Sequence, residues 1–371
     1  MIPFQDLSGQ FADLRTEIEG AIQNVLERNR FILGPEVEEF EKEFAAFLGH
    51  GQTIGVASGT DAILLTLKAL GVGEGDEVIT TPFTAAPTTM AIVLAGARPV
   101  FADIEEGGYG MDAAEAAQAI SLRTRALVPV HIYGQALSIR KLCETACALG
   151  IPLVEDACQA HGVRFGKRMV GTFGAAGCFS FYPTKNLGAC GDAGLVATAD
   201  PYLAERLRML RDYGRNGRDT FAQIGRNSRL DELQAAILRV KLRRLEKWNA
   251  DRKKIAAIYL EELEGLPLKL PASRSPRGHV FHLFVIATPR RNELAAWLKR
   301  KDIETHVHYP VPVHLQPAMA FLGYKKGSLP RAEAAANSVL SLPMYPGMPE
   351  GHARKVAAEI RAFFKGPGLE S

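Results

Sequence analysis

The sequence predicts an α/β protein: a mainly parallel sheet with helices on both faces, followed by a smaller α+β portion. Two observations carry this. Over roughly the first two thirds, short β-type runs alternate with amphipathic helical ones. From about Trp248 the character changes, to a strand, a helix, a loop rich in Pro and His, and two closing helices.

The expected strands, in order, are Glu77–Thr80, Arg98–Ala102, Ala126–Val130, Pro152–Glu155, Gly177–Phe181 and Gly194–Thr198. Between several of them lie helix candidates at Asp61–Leu70, Pro87–Leu94, Asp112–Ile120 and Ser138–Leu149, each with an apolar stripe at helical spacing. A helical pattern from about Arg229 to Leu263 has the length of a connector that packs against something large. The last portion predicts a strand at Val280–Ile286 and helices at Asn292–Lys301, Arg331–Leu340 and Glu350–Phe364. There is no internal repeat and no low-complexity tract.

Composition sets the bounds. A chain of 371 residues, 47% hydrophobic and 23% charged, has room for one large domain and a smaller one around a substantial core. A net charge of +3 with scattered cations argues against a nucleic-acid or membrane surface. The densest basic run, Arg239–Arg244, reads as the wet face of a helix that carries Leu238, Leu242 and Leu245. No apolar stretch reaches the about 20 residues of a bilayer span. The start, Met1-Ile2-Pro3-Phe4-Gln5-Asp6, has neither basic nor long apolar character, so a cytoplasmic location is expected. The five cysteines have no framework spacing and read as free thiols. Cys143 and Cys147 lack the second pair that a zinc site needs, and Cys158 and Cys190 are expected to be small buried hydrophobes.

The chemistry centres on Lys185, in the run Cys178-Phe179-Ser180-Phe181-Tyr182-Pro183-Thr184-Lys185-Asn186-Leu187-Gly188. Upstream, Asp156 ends an apolar run in Leu153-Val154-Glu155-Asp156-Ala157-Cys158-Gln159-Ala160-His161-Gly162. Pyridoxal 5'-phosphate needs such a pair: an amine to condense with its aldehyde, and a carboxylate to keep its ring nitrogen protonated. Ser58-Gly59-Thr60-Asp61 opens a helix whose free N–H groups suit a phosphate, and the Ser180 hydroxyl can join them. Each residue also has an ordinary reading. Ser58 or Thr60 serves as a helix cap, Asp156 caps a helix after a strand, and His161 is a polar residue in a turn. Arg229 pairs with Asp231 or Glu232 on its own helix, and Tyr345 packs in a core. His306, His308 and His314 have no carboxylate or cysteine at metal-ligand spacing, so no metal is expected.

Together these segments resemble the DegT/DnrJ/StrS family, the sugar aminotransferases of the fold type I pyridoxal-phosphate enzymes. The resemblance covers essentially the whole chain. It adds Phe31-Ile32-Leu33-Gly34-Pro35-Glu36, Gly75-Asp76-Glu77-Val78-Ile79-Thr80, Asn227-Ser228-Arg229-Leu230-Asp231-Glu232, His308-Tyr309-Pro310-Val311-Pro312 and Ser341-Leu342-Pro343-Met344-Tyr345-Pro346. It implies a large domain over 1–247 with a mainly parallel seven-stranded sheet, and a small α+β domain over 248–371. It implies that Lys185 binds the cofactor and moves protons, that Asp156 pairs with the pyridine nitrogen, and that Gln159 sits near the ring hydroxyl. Ser58, Gly59, Thr60 and Ser180 would hold the phosphate. Asn227 would reach the cofactor of a neighbouring subunit, giving a homodimer with shared active sites. His308, Tyr309 and Arg229 would lie toward the substrate.

One departure stands out. Many members carry an aromatic residue where this chain has Ala85, and it stacks on the cofactor ring. Three alternatives follow: His161 covers the ring, Phe83 covers it, or the cofactor is held less tightly. A smaller departure, Ala193 where glycine is commoner, reads as benign. The implied reaction moves an amino group from L-glutamate to a nucleotide-linked ketohexose. The branch resembled acts at C3 of dTDP-3-keto-6-deoxyhexoses, with C4 amination or a UDP-linked 3-keto sugar as alternatives. A dehydrating branch carries histidine in place of this lysine, so Lys185 argues against it. An enzyme for amino acids would need an arginine clamp in the small domain that Arg290, Arg291 and Arg300 do not offer. A regulator without catalysis would leave Lys185 and Asp156 under no chemical demand.

Overall fold

The computed structural model describes residues 1–271 and 278–366. Two N-terminal helices, α1 (Ser8–Arg28) and α2 (Pro35–Leu48), precede an alternation of strands and helices. That alternation runs β1 (Gln52–Val56), α3 (Gly59–Ala69), β2 (Glu77–Thr80), α4 (Ala86–Leu94), β3 (Arg98–Phe101), α5 (Ala113–Gln118), β4 (Thr124–Val128), α6 (Ile139–Ala148) and β5 (Val154–Asp156). A small ribbon, β6 (Arg164–Phe165) and β7 (Arg168–Met169), leads to β8 (Ala176–Ser180), β9 (Gly194–Thr198) and α7 (Pro201–Leu210).

The strands order as β1-β9-β8-β5 and β3-β2-β4, and parallel bridges Leu127–Leu153 and Val130–Asp156 join β4 to β5 in one seven-stranded sheet. Only β9 runs against the others, pairing antiparallel with both β1 and β8. The expected mainly parallel sheet is therefore present. Its unforeseen member is β1, which has polar Gln52 and Thr53 and a glycine in mid-strand. Thr53 is buried because its hydroxyl donates to the Glu41 carbonyl (2.6 Å), and a Cβ at Gly55 would lie 2.8 Å from the Leu230 side chain. Helices α1, α2 and α7 are likewise additions to the sequence-based expectation.

The long helix expected over 229–263 is two helices, α8 (Glu232–Leu242) and α9 (Leu245–Glu262). At the break, Arg243 and Arg244 both turn onto Glu17 of α1, at 3.0 and 3.3 Å. The basic run is not a wet face throughout. Lys241 is 1% exposed, with its ammonium 4.8 Å from the Phe11 ring centre and 6.0 Å from that of Trp248.

After α9 come β10 (Phe284–Ala287), α10 (Arg291–Arg300), α11 (Pro330–Ser338), β11 (Val339–Leu342) and α12 (Glu350–Lys365). The helix expected over 331–340 stops at Ser338, and the chain then pairs antiparallel with β10. The apolar packing changes partners along α9. Leu245 belongs to the cluster of Phe40, Phe44, Phe179 and Phe181, whereas Ile255, Tyr259 and Leu263 pack with Phe284, Leu298, Val356 and Ile360. Ile2 joins this second cluster from the other end of the chain. Among the described residues no helix is long and apolar enough to cross a membrane.

Glu232 ties these layers together. Its carboxylate accepts from the N–H groups of Gly34 (2.8 Å), Glu36 (3.0 Å) and Val37 (2.9 Å), the open end of α2. Glu232→Ala would strand three buried donors, so a loss of about 3 kcal/mol is expected. A fall in the urea midpoint with an unchanged slope would register it.

Candidate active site

The parallel strands deliver their carboxyl ends to one edge of the sheet, where ligands gather in open α/β folds. Asp156 is the last residue of β5, and Ser180 the last of β8. Ser58 lies just past β1 and caps α3, its hydroxyl accepting from Asp61 N–H at 3.1 Å. The helix-cap reading therefore holds for Ser58. Gly59 is needed for close approach: a Cβ there would fall 2.6 Å from Ser180 Cβ and 2.9 Å from Cys158 Sγ. Gly59 thus brings the Ser58–Thr60 turn against Ser180 and Cys158.

Asp156 is not a helix cap. Its two oxygens are fixed separately, by the Thr88 hydroxyl at 2.7 Å and by Cys158 N–H at 3.0 Å. Thr88 was not anticipated. It sits in α4, where a threonine carries no pattern that marks it.

Lys185 lies in the turn after β8, its own N–H bonded to the Tyr182 carbonyl at 2.8 Å. Part of the residue stays accessible at the crevice, and among the described residues no acid pairs with its amine. Packing around the amine strips water and lowers its pKa from 10.5, with Cys158 and Asp156 pulling the other way. The thiol of Cys158 is itself pushed well up by burial, so Asp156 is the charge that counts in that opposition. The result is a lysine with a larger share of free amine than a surface lysine has.

Gln159 and Tyr309, far apart in sequence, meet here. Gln159 Nε2 donates to the Tyr309 hydroxyl at 3.1 Å, and its Oε1 accepts from Tyr133 N–H at 2.7 Å. Burial raises the Tyr309 pKa to about 12, which keeps it a phenol at neutral pH. The Tyr133 hydroxyl donates to the His308 carbonyl, and His308 Nδ1 lies 2.9 Å from Ser341 Oγ. Burial, with His306 and Lys185 adding to it, lowers the His308 pKa to about 4, so its ring is neutral.

Position 85 is alanine, and the two rings named as substitutes are both buried. His161 is fully buried, its ring 5.7 Å from that of Phe179 and 5.5 Å from that of Phe181. Phe83 is also fully buried, against Tyr109 at 5.7 Å and Tyr133 at 6.3 Å. Of the two, His161 is the one whose surroundings include Lys185. Ala85 merely caps α4, half-buried.

Among the described residues neither ring nitrogen of His161 makes a well-formed hydrogen bond, and burial drives its pKa down to about 3, with Lys185 contributing and the Ser180 backbone opposing. The unfolded chain binds a proton there below pH 6.5 while the folded chain resists it, so stability is complete above 6.5 and falls as pH drops toward 3. The urea midpoint is expected to fall between pH 7 and pH 5, and less steeply in His161→Phe. That slope is at most about 1.4 kcal/mol per pH unit for this residue.

Other expectations resolve differently. Arg229 pairs with Asp212 at 2.9 Å, not with Asp231 or Glu232, and lies 5.5 Å from the Tyr213 ring centre. Asn227 is exposed, beside Ser228, whose hydroxyl donates to Asp61 at 2.7 Å at the base of the phosphate turn. Cys190 is exposed rather than buried, while Tyr345 is a core residue as expected. His314 pairs with Glu333 at 3.1 Å, and the described residues contain no metal-binding cluster.

An amine with no acid paired to it among the described residues, a carboxylate held at two points and a turn kept open by Gly59 are the groups that the chemistry of pyridoxal 5'-phosphate calls for. The sequence of the DegT/DnrJ/EryC1/StrS aminotransferase family matches residues 12–361. The chain belongs to that family. It is 46% identical to the dTDP-3-amino-3,4,6-trideoxy-alpha-D-glucose transaminase of Streptomyces venezuelae, over 97% of this chain and 95% of the relative. It is 44% identical to the pleiotropic regulatory protein of Geobacillus stearothermophilus, over 98% of this chain and 99% of the relative. The solved structure of S. venezuelae DesV in complex with a ketimine intermediate superposes with a TM-score of 0.96 at 46% identity, covering 98% of each chain. Fold type I, an aminotransferase and its cofactor class, read first from motifs, are thereby established at the level of the family.

Proposed function

We propose that this aminotransferase moves the amino group of L-glutamate to C3 of a dTDP-linked 3-keto-6-deoxyhexose, on the way to an amino sugar. The observation that carries the reaction is the unpaired Lys185 amine in a crevice with the twice-anchored Asp156. The sugar class draws support from the S. venezuelae relative. Pyridoxal 5'-phosphate, when bound, supplies an aldehyde that carries the amino group and a ring that accepts electrons.

The chain's own residues do the rest. Ser58, Gly59, Thr60 and Ser180 hold the phosphate, and Asp156 keeps a proton on the ring nitrogen. Gln159, itself fixed by Tyr133 and Tyr309, lines the ring hydroxyl side. Lys185 would hold the cofactor through its amine and, when that amine is free, would take the proton from the donor α-carbon. His308 and Tyr309, both uncharged, offer hydrogen bonds to a sugar nucleotide. Asn227, exposed beside the phosphate turn, reaches the cofactor of a second copy, which makes the homodimer the active form. Five free thiols suit a cytoplasmic setting.

The test is a panel. The protein is first converted with L-glutamate, freed of it, and mixed with dTDP-3-keto, dTDP-4-keto and UDP-3-keto sugars. Fastest return of the carbonyl form of the cofactor with the dTDP-3-keto sugar is expected. Faster return with a 4-keto or a UDP-linked sugar would overturn the assignment of C3 or of the nucleotide. A purely regulatory role, which the name of the Geobacillus relative raises, would leave glutamate without effect.

A further inference from the structure

Asn186 follows Lys185 directly and is 1% exposed. Its Nδ2 donates to Asn249 Oδ1 at 2.8 Å and to the Val280 carbonyl at 3.2 Å. Its Oδ1 lies 3.2 Å from His282 Nδ1. Burial holds His282 neutral, so the nitrogen that faces this amide oxygen is the one bearing hydrogen. Asn249 passes the connection on, donating from Nδ2 to the His161 carbonyl at 2.9 Å. Gly162 leaves room for this, since a Cβ there would sit 2.9 Å from Asn249 Nδ2.

The partners are themselves braced. One turn along α9, Arg252 donates to the carbonyls of Phe281, His282 and Met344, each at 3.2 Å. On the other side of Lys185, Gln5 donates to the Thr184 carbonyl at 3.1 Å. The backbone around the lysine is thus pinned to the turn after Asp156, to α9, to the stretch before β10 and to the N-terminal segment.

An apolar side chain of similar size would fill the space of Asn186 without the hazard of unmet polar atoms. A fully satisfied buried amide gives something packing does not: a single register, and hence a fixed origin for the neighbouring side chain. A lysine that must both condense with a cofactor and move a proton depends on such placement to a fraction of an ångström.

We infer that Asn186, Asn249 and His282 are positioning residues for Lys185, a buried amide hub that fixes the backbone from which the lysine amine is aimed into the crevice. The inference rests on the function proposed above for its kinetic consequence, but not for its structural one.

The experiment compares Asn186→Ala, His282→Leu and His282→Asn with the parent protein. Asparagine at 282 returns an N–H close to the place of Nδ1, and leucine does not. The first readout needs no cofactor or substrate: the pH dependence of Lys185 acylation by acetic anhydride in the cofactor-free protein, followed by mass spectrometry. Asp156, Cys158, His161, His282 and His308 face this amine; only His282 changes, in two of the variants, and Asn186→Ala leaves all five in place.

In Asn186→Ala and His282→Leu the loosened lysine should meet more water and titrate closer to 10.5 than in the parent. The glutamate half-reaction of the loaded protein should slow by about 10- to 100-fold, with the glutamate KM changed by less than about threefold. His282→Asn should restore both readouts. Folded variants that lose only thermal stability, with acylation profile and rate as in the parent, would overturn the inference. Should Asn186→Ala not fold, the two His282 variants decide alone. A parent protein inert to glutamate would refute the proposed function, and the acylation profile would still settle the positioning role.

Discussion

Lys185→Ala is expected to slow transamination by at least about 10³-fold, the upper range for loss of a positioned acid–base group. The amine serves twice, as the anchor that condenses with the cofactor and as the base that takes the donor proton. No described neighbour can replace it. His161 and His308 are the candidates in character, but burial makes the first a weak base, with a pKa of about 3, and the Nδ1 of the second is engaged with Ser341. Lys185→Arg should not rescue, because a guanidinium is neither nucleophilic nor able to give up its proton. The phosphate turn does not depend on the lysine, so the variant should still retain cofactor while losing the visible band of the lysine adduct. Activity near that of the parent would contradict the assignment.

Asp156→Asn is expected to lower kcat by about 10²–10³-fold, the scale of removing one preorganised electrostatic partner. The substitution is nearly isosteric. Thr88 and Cys158 N–H would hold the amide where they held the carboxylate, so a loss reports on charge rather than on collapse. Thr88→Val should cost less, about tenfold, since one of the two anchors survives. The informative pattern is a fall in kcat with little change in KM. Equal losses in Asp156→Asn and Thr88→Val would mean that geometry, not charge, is what Asp156 supplies.

How much of this was legible in the sequence follows from distance along the chain. Lys185, Asp156 and Ser180 each end or follow a strand, and strand ends in an alternating α/β pattern locate a crevice without any contact being known. The Ser58–Gly59–Thr60 turn was legible for the same reason, as a helix start with a glycine. β1 was not, because its buried threonine and glycine lack the apolar signature and acquire their reason only from Glu41 and Leu230. Thr88 was hidden because its role depends on the direction of one hydroxyl. The meeting of Gln159 with Tyr309 needs the tertiary fold, as does the hub at Asn186.

The aromatic cover illustrates the opposite case. At position 85 the sequence shows alanine, and the two rings weighed in its place lie in separate buried surroundings, His161 by Phe181 and Phe83 by Tyr109 and Tyr133. Sequence spacing places a side chain near a site without saying which way it faces. Arg229 makes the same point: helix spacing favoured Asp231 or Glu232, but Glu232 is spent on the start of α2 and Asp212 comes in from the loop after α7.

On the function proposed, Lys185 and Asp156 form the working centre of an aminotransferase that takes its amino group from glutamate. The most direct test follows the absorbance of the protein loaded with pyridoxal 5'-phosphate as L-glutamate is added, together with release of the keto acid. The long-wavelength band is expected to disappear with one keto acid formed per site, and neither is expected in Lys185→Ala. A band that forms through Lys185 but stays unchanged with glutamate would contradict the choice of donor. A parent protein with no Lys185-dependent band would contradict the account itself.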